Sequence, residues 1–284
     1  MRSIEDPSRQ NAPDSATISR RSGFVTAAGG ARIYFEACGS GPALVLVHGL
    51  GGNHAVWFHQ VAHFASSHLV VTLSQRGFAP STGNQDRYSV DTVVADLEAV
   101  MDEAGIAEAT VVGQSMGGWT ALGLALRAPG RVTRLVLADT AGGISDEKIH
   151  GHMRAIGAAA AAAGAAPLPL GVHPALSQGF SRRNLALACL YQSLSTFGSP
   201  PVATITPQLA AARVEPASLR ALRMPTLFLV GSEDQLFPPD LLRHASVLVP
   251  GARVTEIPDA GHSPYIENPG AWNRALEEFL AERG

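Results

Sequence analysis

This chain is sparing with cysteine, with charge and with long apolar runs, and each scarcity excludes something. Two cysteines, Cys38 and Cys189, in 284 residues cannot make a disulfide framework, so a reducing, cytoplasmic setting is the expectation. Charged residues make up only 16% and the formal net charge is −3. No block of one sign exists to hold a nucleic acid or an anionic membrane surface. The alanine-rich stretch 155–166 comes nearest to a membrane span, but Gly157 and Gly164 interrupt it and Pro167 follows. The pair Arg20-Arg21 looks like part of a twin-arginine export signal, yet the apolar run such a signal needs is broken by Gly29, Gly30 and Arg32. Residues 1–22 therefore read as a polar, mobile tail.

What is present is a large apolar fraction, 46%, enough for the core of one sizeable α/β domain. Phe24–Ala27 and Ala31–Ala37 flank Gly29-Gly30 as a hairpin. Ala43–Val47, Leu69–Leu73, Ala109–Val112 and Val132–Leu137 are continuous apolar runs, which marks strands buried on both faces. Helical spacing separates them, for example Val93, Val94, Leu97, Val100 and Met101. Alternating strand and helix predicts a mostly parallel central sheet with helices on both faces. The alternation stops after Asp139 and resumes at Thr226–Val230. The expected organisation is a core of residues 23–140 and 219–284 with a helical cap insertion at 141–218.

Gly113-Gln114-Ser115-Met116-Gly117-Gly118 lies between a buried strand and a helix. That is the context of a nucleophile elbow, in which glycines clear space around a serine on a strained turn. The Met116 N–H would point at a carbonyl under attack, at a helix N-terminus that favours negative charge. His48-Gly49-Leu50-Gly51-Gly52 follows another buried strand and can aim the Leu50 N–H into the same site, with the His48 side chain bonding the loop backbone.

A serine needs a base. Of the ten histidines, His262 stands apart because it sits on a loop after a strand, where open α/β sheets collect their chemistry. His59 and His63 have i,i+4 spacing but no glutamate between them, so no metal site is expected. The base needs a carboxylate to orient it. Asp234, directly after Thr226–Val230, is the expected acid, and Asp139, after Val132–Leu137, is the alternative. Arg182 and Arg183 read as a solvated surface pair.

With His48-Gly49, Trp57, Arg76-Gly77, the Gly113–Gly118 motif, Gly231–Pro238 and Gly261-His262 in this order, the chain from about Phe24 onward resembles the α/β-hydrolase superfamily. The resemblance implies the α/β-hydrolase fold, no cofactor, and a carboxylic ester hydrolase acting on a small-molecule ester or lactone. It also implies Gln114 and Trp57 as substrate contacts and leaves a homo-oligomer open. Ser74 departs from the family, which usually has an aspartate two residues before the Arg-Gly pair, so that loop is expected to be anchored differently. Gln114 and Ser263 stand where carbon–carbon hydrolases of vinylogous diketones commonly carry asparagine and tryptophan, which lowers that alternative. A slow-turnover ligand sensor and a cofactor-free perhydrolase side reaction are further alternatives.

Overall fold

The computed structural model describes residues 17–83, 88–164 and 168–282. Eight strands, β1 (Arg20–Thr26), β2 (Arg32–Cys38), β3 (Ala43–Val47), β4 (Leu69–Leu73), β5 (Ala109–Gln114), β6 (Val132–Ala138), β7 (Thr226–Gly231) and β8 (Arg253–Ile257), form one sheet in the order β1-β2-β4-β3-β5-β6-β7-β8. β2 runs antiparallel to both its neighbours. All other pairings are parallel.

β5 and β7 are buried along their whole length, as their unbroken apolar runs require. Successive residues of β3 divide between two cores. Val45 and Val47 pack on the helices Val90–Glu103 and Gly117–Arg127, with Leu97, Val100 and Leu122. Leu44 and Leu46 pack on the other face against Trp57, Phe64, Trp272 and Leu276. Each such side chain contributes about 1.5–3 kcal/mol by leaving water. Helix starts are specified locally as well: Ser89 Oγ accepts the Thr92 N–H at 3.2 Å, capping the helix Val90–Glu103.

β1 begins at Arg20, inside the stretch expected to be tail. Its residues are mostly exposed, so no apolar pattern announces it. Pairing holds it, from Arg20 against Cys38 to Thr26 against Arg32, with an Arg20–Glu36 ion pair at 2.7 Å. Residues 1–16 of the expected tail lie outside the described residues. Residues 141–218 hold the helices Glu147–Ala163, Phe180–Arg183, Leu185–Thr196, Val202–Ala211 and Pro216–Leu219. Among the described residues this stretch has no strand, only an isolated bridge between Ile144 and Val214. Both cysteines are unpaired, and no described helix is long and apolar enough to cross a membrane.

Candidate active site

The parallel strands end at one rim of the sheet, and Leu50, Ser115, Met116, Asp139, Asp234 and His262 all lie on segments that leave this rim. β5 runs through Ser115 into the helix Gly117–Arg127. Ser115 has φ 49°, a left-handed conformation that costs a side-chain-bearing residue and lifts it out of the strand. The flanking glycines are needed for clearance. A Cβ on Gly113 would strike the Gly117 backbone, and one on Gly117 would strike the Val47 and His48 carbonyls. The helix can therefore begin directly behind the serine only if both positions lack a side chain.

His262 follows β8 and meets two partners. Its Nδ1 lies 2.8 Å from Asp234 Oδ2 and its Nε2 lies 2.9 Å from Ser115 Oγ. A carboxylate can only accept, so Nδ1 carries the proton and Nε2 is left to accept from the serine hydroxyl. Asp234 Oδ1 is held by the Leu236 and Phe237 N–H groups at 2.8 and 3.0 Å. The Phe237 ring stacks on His262 with centroids 5.8 Å apart.

Asp139 is fully buried at the end of β6, also with positive φ, 51°. Its Oδ1 accepts the Gly231 N–H at 2.9 Å. It does not contact the histidine the way Asp234 does. Burial first, and then the Asp234 charge, push its carboxyl well above the usual carboxylate range, against the Gly231 hydrogen bond that favours the charged form.

The His48–Gly52 turn lies against the serine. A Cβ on Gly49 would meet Gln114 Oε1 and Ser115 Cβ. Among the described residues, no backbone carbonyl accepts from the Leu50 or Met116 N–H. The His48 side chain is structural. Its Nδ1–H donates to Gly49 O at 2.7 Å and its Nε2 accepts the Gln75 N–H at 2.9 Å. Burial lowers its pKa to about 4 although the Gly49 hydrogen bond raises it, so the ring is neutral.

The two expected substrate contacts both lie inside the fold. Trp57 is fully buried and packs on Tyr265 and Trp272, with centroids 4.6 and 6.0 Å away; a large ring between two others belongs to the core. Gln114 is buried and its Nε2 donates to His262 O at 2.9 Å, so its amide fastens the histidine loop. Arg182 and Arg183 are exposed, and Arg183 Nη2 also donates to Ser177 Oγ at 3.0 Å and Asp259 O at 2.9 Å. His63 pairs with Glu277 at 2.8 Å, and the His59 and Phe58 ring centroids lie 4.1 Å apart. Ser74 anchors its loop through its hydroxyl, which accepts the His54 N–H and donates to Ala79 O, each at 3.2 Å. The neighbouring Arg76 forms a buried bidentate pair with Asp96 at 2.6 and 2.8 Å.

Sequence reasoning passed over Glu267 and the contact that Tyr191 makes. Glu267 accepts the Gly261 N–H at 2.9 Å and the Ser177 N–H at 2.8 Å, joining the histidine loop to the 141–218 segment. Its one signal is being the next carboxylate after His262 in the chain. Tyr191 OH accepts from Ser263 Oγ at 2.8 Å, and nothing in its local sequence marks it. A cavity of about 200 Å³ borders His262 and is lined by Leu168, His173, Leu176, Glu233 and Gln235 among others.

The comparisons with known proteins agree with this architecture. Residues 42–269 match the family described as the alpha/beta hydrolase fold. BpoC of Mycobacterium tuberculosis, which bears the name of a non-heme bromoperoxidase, is 31% identical over 259 residues, 87% of this chain and 97% of that protein. The 3-oxoadipate enol-lactonase 2 of Acinetobacter baylyi is 26% identical over 248 residues, 84% of this chain and 88% of that one. Among solved structures, a thermophilic esterase from Thermogutta terrifontis matches with a TM-score of 0.77 at 24% identity, covering 92% of this chain and 98% of that one. On the fold, the order of its motifs and the match over most of its length, the chain belongs to the alpha/beta hydrolase fold family.

Proposed function

We propose that the protein is a serine hydrolase of small or medium carboxylic esters or lactones, working through an acyl-enzyme on Ser115. His262 Nε2 takes the Ser115 proton as Oγ attacks the carbonyl, while Asp234 holds the ring and balances the imidazolium that forms. The Leu50 and Met116 N–H groups stabilise the oxyanion. The protonated histidine returns its proton to the departing alkoxide, and water, activated by the same ring, releases the acid. The observation that carries this reading is the unbroken run of hydrogen bonds from Ser115 Oγ through His262 to Asp234, at 2.9 and 2.8 Å. Residues 141–218 act as a cap over the site and supply the apolar wall that selects the acyl or alkyl group.

The test is steady turnover of a short-chain aryl ester. Ser115→Ala should lose at least about 10⁴-fold in kcat while folding normally. Full turnover by that variant would overturn the assignment. A lactone substrate is favoured as a second arm by the enol-lactonase relative, which matches over 84% of this chain. A panel of aryl esters, lactones and vinylogous diketones separates ester, lactone and carbon–carbon hydrolysis. Stoichiometric labelling of Ser115 without release would favour the sensor.

A further inference from the structure

Two buried aspartates stand beside one histidine, and the mechanism above uses only one of them. An oxygen of Asp139, an oxygen of Asp234 and a ring nitrogen of His262 lie within 4.8 Å of one another. The two carboxylates are provided for unequally. Asp234 receives two backbone N–H groups on Oδ1 and the imidazole on Oδ2. Asp139 receives the Gly231 N–H on Oδ1, and its Oδ2, although buried, has no hydrogen-bond donor among the described residues. An ionised carboxylate oxygen buried without a donor is costly, and a second negative charge this near makes it more so. A protonated carboxyl in the same place is a donor, and an oxygen of the Asp234 carboxylate lies within 4.8 Å of an Asp139 oxygen. The other titratable groups that bear on Asp139 do not relieve it: Glu267 adds negative charge, while Tyr191 and Tyr265 are buried phenols held neutral by that burial. The left-handed backbone of Asp139, φ 51°, is retained in a residue with a side chain, a strain that marks positions where orientation is being enforced.

We propose that Asp139 is a neutral carboxylic acid whose Oδ2–H donates to the Asp234 carboxylate, making it a positioning residue that orients Asp234 and draws charge away from it. Its burial and the Asp234 charge, which raise its carboxyl well above the usual range, are in keeping with that state. The role rests on the assignment of Asp234 as the acid that holds His262. By withdrawing charge, the donor keeps His262 from being protonated too early, so that the ring remains a base at lower pH.

The experiment has one arm that needs no turnover. Infrared difference spectra of wild type against Asp139→Asn at neutral pH should contain a protonated-carboxyl stretch that the variant lacks. Its absence from wild type overturns the proposal whatever the enzyme hydrolyses; Asp139→Ala serves in the same comparison if the asparagine variant does not fold. The second arm is the pH dependence of kcat/KM. Asp139→Ala removes the donor, and its acid limb should move to higher pH by about one unit. Asp139→Asn restores a donor in the amide and should return the limb towards wild type. A purely structural role would lower the rates without moving the limb, and that result would overturn the proposal. So would a variant pair in which Asp234→Asn stays active and Asp139→Asn does not, because Asp139 would then be the acid itself. If Ser115→Ala loses nothing while the carboxyl band is present, the proposed function fails and the protonated state of Asp139 stands.

Discussion

The rim of the sheet and the helical segment 141–218 are held in different ways. At the rim, Asp139, Asp234 and His262 are buried and Ser115 is half-buried, and the site is tied to backbone that is itself packed: Asp234 by two N–H groups, the His262 loop by Gln114 and Glu267. The helical segment leaves large apolar side chains in water, with Leu170 71% and Phe197 68% exposed. It meets the core through directed contacts, including Tyr191 with Ser263, Ser177 with Glu267 and Trp119 Nε1 with Ala212 O, and through apolar side chains such as Ile149, Leu176 and Phe180 that join the buried clusters. A rim built this way preserves geometry, which is what proton transfer needs. A segment that keeps large side chains exposed can change them without disturbing that geometry, which is what selectivity needs. Substitutions at the rim should therefore act on kcat and on stability, and those in the helical segment on KM.

After Ser115→Ala, the largest expected effect is at Asp234. Asp234→Ala should lower kcat by about 10³- to 10⁴-fold with little change in KM, measured on a short-chain aryl ester. A loss confined to KM would erase the distinction between the two regions. Next comes Arg76→Met, which leaves the buried Asp96 without its partner. Burial already raises Asp96 although Arg76 lowers it, so the carboxyl can escape by taking a proton, and a loss of about 3 kcal/mol in denaturant unfolding is expected.

Acid should act on the rim through His48. Its pKa is about 4 when folded, against 6.5 ordinarily. The folded state therefore binds fewer protons than the unfolded chain between those values. The stability that His48 contributes is present above pH 6.5 and is lost as pH falls towards 4, by about 3 kcal/mol in all. His48→Gln should flatten that slope, and an unchanged slope would mean that the neutral ring is not what acid attacks. The smallest effect is expected at Tyr191→Phe. It removes one acceptor from Ser263 and should cost about 1 kcal/mol, read as a several-fold change in KM. A fall in kcat comparable to that of Asp234→Ala would show that the helical segment shares in the chemistry.

Much of this was legible in the chain because it is local. A strand buried on both faces must be apolar throughout, so β3, β4, β5, β6 and β7 appear as runs. The crowding of Gly113 and Gly117 against neighbouring backbone leaves a serine between glycines as its trace. His262 is legible by the same logic, since it follows a strand at the rim where such sheets gather their loops. β1 was not legible before Phe24, because there it is held by pairing with β2 while its side chains stay in water.

The amino-acid order alone determined the alternation that makes a parallel sheet, the elbow at Ser115 and the placement of His262 on a rim loop, since each follows from spacing between near neighbours. Only the tertiary structure decided which aspartate faces the ring, that Gln114 turns to the histidine loop, that Trp57 lies between Tyr265 and Trp272, and that Glu267 reaches Ser177. Those outcomes depend on distances between segments dozens of residues apart or more. Such distances are set by how whole elements pack to bury their apolar faces, and no local spacing encodes them.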